Sequence, residues 1–135
     1  MKLICASGFF NPLHRGHVEY LEKAKSLGDY LIVIVNNDKQ RELKGSKFFM
    51  DQEERSKIVA ALRCVDEVII AKDSDTSVCR TLEEISPTPH IFAKGGDRYS
   101  SEIPEGKVCH RLGIAMVDGL GAKIQSSSWL LEEKK

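Results

Sequence analysis

The chain has 135 residues, 41% hydrophobic and 30% charged, an ordinary globular balance that excludes wholesale disorder. Twenty Lys plus Arg offset twenty Asp plus Glu, so no global positive field points to nucleic acid, and any anion must be held by a local site. The length predicts a single domain over residues 1–135 that needs no metal or disulfide staple. Leu3–Ala6 is a short β-type run, broken by glycine and proline through Gly16. His17–Leu27 places Val18, Leu21, Ala24 and Leu27 on one helical face, with Gly28 as its stop. Tyr30–Val35 (YLIVIV) is nearly continuous aliphatic, the pattern of a strand buried on both faces. Asn36–Met50 is polar and reads as loop. Asp51-x-x-Glu54 opens a helix like a capping box, with Ile58, Val59 and Leu62 as its inner stripe. Val65–Ala71 predicts a strand, Ser77–Ile85 a helix stopped before Pro87, and His90–Ala93 a short strand. Pro104–Leu112 reads as helix, Ile114–Val117 as strand and Ser126–Glu133 as a closing helix.

Strand and helix alternate about five times, which predicts an α/β fold: a doubly wound, parallel five-stranded sheet with helices on both faces. Ligands of such sheets bind beyond the carboxyl ends of the strands, where strand order reverses. Loops that directly follow strands are therefore the candidate site. The closest two of the four cysteines are fifteen positions apart, so no C-x-x-C pair seeds a zinc or redox motif; Cys5 and Cys64 read as core residues.

The first such loop reads Ser7-Gly8-Phe9-Phe10-Asn11-Pro12-Leu13-His14-Arg15-Gly16-His17. A strand, a glycine turn and a helix N-terminus make an anion site, because first-turn amides point outward unpaired. His14 and His17 put two imidazoles on one side of the opening turn, and Gly16 leaves room for a bulky ligand. Two such donors suit a phosphate whose negative charge grows during reaction. The plainer account of a histidine here is a helix cap. Half a metal site is the other, but no third Cys, His or carboxylate stands at usable spacing in the loop. Phe9 and Phe10 read most simply as loop packing, and Asn11 and Pro12 as turn formers.

These residues carry a resemblance. Gly8 through His17 is similar to the G-x-F-(D/N)-x-x-H-x-G-H signature of the cytidylyltransferase-like nucleotidyltransferases, and the likeness extends through nearly the whole chain. It implies a Rossmann-like nucleotidyltransferase fold, with Gly8, Phe9, Phe10 and Gly16 at the nucleotide and His14 and His17 catalytic at its α-phosphate. Lys44-Gly45-Ser46-Lys47, a solvated lysine pair by itself, resembles the family's mobile basic segment; Lys44 would bind the nucleotide and Lys47 act in catalysis. Asp38 aligns with a polar position that binds the acceptor or caps a turn. Asp51–Ile58 resembles an E-x-R-x-x-(I/L) segment, in which Arg55 touches the acceptor's phosphate or orients the loop; a plain i,i+4 partner on a helix face is the competing account.

Lys94-Gly95-Gly96-Asp97 is similar to the K-G-G-D of heptose-phosphate adenylyltransferases and is expected at the nucleotide, where paired glycines let the backbone approach a planar ligand. Ser126, Ser127 and Ser128 are first of all N-caps; in the family such hydroxyls bind β- and γ-phosphates, which assigns Ser126 and Ser127 to the nucleotide. No arginine follows Arg111, unlike the cytidylyltransferase R-T-x-G-I-S-T-T segment, and this leaves ATP and CTP both open.

The implied reaction has an acceptor phosphate oxygen attack the α-phosphorus while pyrophosphate leaves in line. A phosphomonoester is already ionised near neutral pH, so no strong base is needed. Mg²⁺ is expected to ride on the nucleotide's phosphates, with no protein metal site. The acceptor expected is a phosphorylated sugar or small alcohol phosphate. Two alternatives stand beside it: a cytidylyltransferase specific for a polyol or amino-alcohol phosphate, and a non-catalytic nucleotide-binding module. The histidine pair and loop lysines argue against the module, which has no use for transition-state donors. A homodimer is expected from the family. The N-terminal apolar run is too short for a signal peptide and no stretch approaches the roughly 20 apolar residues of a membrane span, so a cytoplasmic protein without membrane or nucleic-acid partners is expected.

Overall fold

The computed structural model describes residues 1–45, 47–95 and 103–117. Strands β1 (Leu3–Gly8), β2 (Tyr30–Val35), β3 (Glu67–Ile70), β4 (Ile91–Ala93) and β5 (Ala115–Val117) pair in parallel in the order β3-β2-β1-β4-β5. Helices α1 (Arg15–Lys25), α2 (Asp38–Lys44), α3 (Gln52–Ala60), α4 (Cys79–Glu84) and α5 (Pro104–Leu112) connect them. The order reverses between β1 and β4, so the doubly wound sheet expected from the alternation is what the chain forms. Side-chain alternation splits the core into two. Ile4, Ala6, Leu31, Val33 and Val35 face Tyr20, Leu21 and Ala24 of α1 and Val59 of α3. Cys5, Ile34 and Phe92 face Leu82 of α4 and Val108 and Cys109 of α5. Burial pushes the Cys5 thiol far up, so it packs as a small apolar group.

Several boundaries moved, each for a local reason. The stretch expected as loop holds α2, set by its caps rather than by apolar periodicity. Asn37 Oδ1 accepts the Gln40 N–H at 2.8 Å, Gln40 Oε1 accepts the Asn37 N–H at 2.8 Å, and Gly45 at φ +82° ends the helix. The buried Gln40 also donates to the carbonyls of Asp75 at 2.6 Å and Ser77 at 2.7 Å. Helix α1 begins two residues before His17 because His14 is its N-cap. On α3, Ile58 is 37% exposed, and the buried positions are Arg55 and Val59. A guanidinium thus takes the place expected for an aliphatic side chain. Helix α4 starts only at Cys79, where Asp73 receives the N–H groups of Arg80 at 2.7 Å and Thr81 at 3.0 Å. The expected helix Ser126–Glu133 lies outside the described residues. Among the described residues no helix is long and apolar enough to cross a membrane.

Candidate active site

β1 and β4 pair only at Ile4–Ile91 and Cys5–Phe92. Beyond that point the two strands part, and the loop Phe9–His14 and the Lys94–Gly95 segment follow their carboxyl ends. The Tyr20 hydroxyl of α1 occupies the split, accepting the Ser7 N–H at 3.3 Å and donating to the Ala93 carbonyl at 2.6 Å. Nothing in the sequence marked Tyr20 except its place on the apolar face of a helix.

The two histidines open α1. His14 Nδ1 accepts the Gly16 N–H at 3.1 Å, and the His14 N–H donates to His17 Nδ1 at 3.1 Å. With both Nδ1 atoms accepting, each ring carries its proton on Nε2 and holds it ready for a ligand. The rings stack with centroids 3.8 Å apart and planes 27° apart, and Phe10 meets His17 edge-on at 5.0 Å. Burial, then the neighbouring His14 and Lys44, lower the His17 pKa to about 4, so it is a neutral donor at physiological pH. The capping bonds use Nδ1 of each ring and leave Nε2 available.

Gly8 and Phe10 are a packing pair. Phe10 is 1% exposed at φ +50°, and a Cβ on Gly8 would stand 2.7 Å from its ring Cζ. Of the two readings of Phe10, the ring takes the packing one: it lies in the core beneath the loop and meets His17 edge-on, because the left-handed backbone turns it inward. Gly8→Ala is expected to displace that ring and destabilise the protein by about 1–3 kcal/mol, read as a lower Tm in thermal unfolding.

Arg55 takes the loop-orienting one of its possible roles. It is 0% exposed and spends its donors on main chain and one carboxylate. Nη1 reaches the carbonyls of Phe9 at 2.7 Å and Asn36 at 2.8 Å, Nε the Met50 carbonyl at 3.0 Å, and Nη2 Asp38 Oδ1 at 2.8 Å. Asp38 lies in the first turn of α2, and its other oxygen accepts the Gln52 N–H at 3.2 Å. Both residues therefore organise the loops, one of the two readings open from sequence.

Lys44 ends α2 and holds its ammonium 4.4 Å above the Phe9 ring, on the histidine side of the crevice. Lys47 is exposed, and its carbonyl accepts from Asn11 Nδ2 at 2.8 Å while Asn11 Oδ1 accepts the Met50 N–H at 3.1 Å. Asn11, expected as a turn former, thus ties the β1 loop to the lysine-bearing segment. That a side-chain amide both donates and accepts is the signal that could have found it. Gly16 is buried in the first turn of α1. Lys94 follows β4 directly, with its N–H on the Val117 carbonyl at 2.7 Å, and Gly95 comes next. The structure thus brings His14, His17, Phe9 and Lys44 together and pins Lys47 beside them. Gly96, Asp97, Ser126 and Ser127 lie outside the described residues.

The cytidylyltransferase-like family model matches residues 5–113. A FAD synthase of Picrophilus torridus is 37% identical over 129 residues, covering 93% of this chain and 90% of that protein. The bifunctional protein HldE of Geobacter metallireducens is 42% identical over 126 residues, covering 92% of this chain but 23% of that longer protein. Among solved structures, the lipopolysaccharide core biosynthesis protein from Thermoplasma volcanium superposes with a TM-score of 0.72 at 29% identity, over 88% of this chain and 94% of that one. A parallel Rossmann-like sheet, with this signature at its switch point and these relatives, places the chain in the cytidylyltransferase-like family, as a nucleotidyltransferase.

Proposed function

We propose that the chain transfers a nucleoside monophosphate from ATP or CTP to the phosphate of a phosphorylated sugar or small alcohol phosphate, releasing pyrophosphate. The observation that carries this reading is the stacked His14–His17 pair, both rings held by Nδ1 at a helix N-terminus. Their Nε2–H groups and the first-turn amides of α1 would receive the α-phosphate and steady the charge that spreads over it as pyrophosphate leaves. Lys44 would swing from Phe9 to the phosphate chain, and Lys47 would take the transferring group. The family likeness adds the Lys94–Asp97 segment at the base and Ser126 and Ser127 at the β- and γ-phosphates. The donors around the histidines are neutral or cationic, and no group of three His, Cys, Asp or Glu that could hold a metal occurs among the described residues. Such a set fits Mg²⁺ carried on phosphate oxygens, and when bound it would supply neutralisation of charge on the leaving group. The protein is proposed to act as a cytoplasmic homodimer, for which light scattering would give twice the chain mass.

Pyrophosphate release tests the proposal, crossing ATP, CTP, GTP and UTP with phosphorylated sugars, polyols and amino alcohols. FMN joins the panel because of the FAD synthase relative. Release with CTP and a polyol or amino-alcohol phosphate alone would select the cytidylyltransferase alternative. Tight nucleotide binding without release under any pairing would make the chain a binding module and overturn the proposal. In the active pairing, Lys44→Ala is expected to raise the nucleotide KM about tenfold, the size of one charge-assisted phosphate contact.

A further inference from the structure

We infer that Tyr20 is a positioning residue that fixes the separation of the β1 and β4 loops and thereby the affinity for the nucleotide. The inference rests on the reading of the crevice as a nucleotide site.

The β1–β4 ladder stops at Cys5–Phe92. On either side of the split, the Ser7 N–H and the Ala93 carbonyl are joined through one hydroxyl, at 3.3 Å and 2.6 Å. A phenol has one proton to donate and lone pairs to accept, which is what a bridge between an amide and a carbonyl requires. Burial raises Tyr20 far above an ordinary tyrosine, so the proton stays in place to donate. Ser7 leads into Gly8 and Phe9, Ala93 leads into Lys94 and Gly95, and Tyr20 itself stands one helical turn after His17. One buried atom therefore joins the histidine helix to both loops where the sheet no longer does.

Tyr20→Phe keeps the ring in the core and removes only the bridge. Affinities for ATP and CTP, measured calorimetrically, and steady-state kinetics would be compared for wild type, Tyr20→Phe and Val108→Ala. The last removes core volume on the opposite face of the sheet. Tyr20→Phe is expected to weaken nucleotide binding and raise nucleotide KM about tenfold, with acceptor KM within about twofold of wild type. Val108→Ala is expected to lower Tm and leave nucleotide affinity unchanged. Wild-type affinity in Tyr20→Phe, or an equal loss in Val108→Ala, would overturn the inference. A wild-type protein that binds nucleotide and releases no pyrophosphate overturns the proposed function alone; one that binds neither ATP nor CTP overturns both. Should Tyr20→Phe not fold, hydrogen exchange in the wild type decides. The Ser7 amide is expected to be protected, and further protected by the nucleotide that binds; an exchange rate indifferent to nucleotide overturns the coupling.

Discussion

His17→Ala is expected to lower kcat by about 100-fold or more, the usual loss when one preorganised transition-state donor is removed. The same change deletes the acceptor of the His14 N–H, half of a capping box, and so removes about 1 kcal/mol of stability. The two effects separate cleanly, because a kcat loss at a temperature where circular dichroism shows a folded chain belongs to chemistry. Wild-type turnover in this variant would remove His17 from the mechanism. The pH dependence has a definite sign. In the folded protein His17 titrates near 4, below the 6.5 of a free imidazole, so between those values the unfolded chain binds a proton that the folded one does not. Stability from this group is complete above about pH 6.5 and is lost as pH falls toward 4. Subtracting the pH–stability curve of His17→Ala from that of wild type should isolate this slope. Activity is expected to show no acid limb near 6.5 from His17, since a proton on its Nδ1 breaks the bond to His14 only at lower pH. Lys44→Ala removes one cause of the depression and is expected to move the His17 titration upward.

Arg55→Ala is expected to destabilise the protein by about 3–5 kcal/mol, the loss of a buried guanidinium that donates to three main-chain carbonyls and to the partly exposed Asp38, and to lower Tm by about 10 °C or more. The loss is large because the guanidinium serves Phe9, Asn36 and Met50 as well as Asp38, and alanine leaves all four acceptors short of a donor. Arg55→Lys is expected to rescue little. A single ammonium cannot address acceptors spread over the β1 loop, the β2 loop and the segment before α3 in the fixed fork that arginine presents. Since Phe9 carries the loop toward His14, kcat should fall as well. Thermal unfolding checks the first expectation, and a wild-type Tm would mean that the loops hold one another without Arg55.

Much of the architecture could be read along the chain. YLIVIV announces a strand buried on both faces, and Tyr30–Val35 is β2 to the residue. Pro104 at the first helical position and Gly113 at φ +75° after the last bracket α5 at the expected bounds. The asparagine and glutamine that cap α2 were legible in principle, but a polar stretch without apolar period hides a helix whose buried face is Gln40 and Arg41. Arg55 was placed on the right helix and in the right signature, yet nothing local shows that a guanidinium turns inward.

Local patterning by itself therefore determined the five strands, four of the five described helices between them, and the two histidines at the end of the loop after β1. Apolar period, caps and turn residues act over neighbours a few positions apart. Only the tertiary structure decided that Arg55 binds the loops and that Tyr20 bridges the parted strands. Their partners stand far away in sequence, 46 positions from Arg55 to Phe9 and 73 from Tyr20 to Ala93. A buried polar group must find a hydrogen-bond partner wherever the fold brings one within about 3 Å, and sequence spacing does not encode that distance.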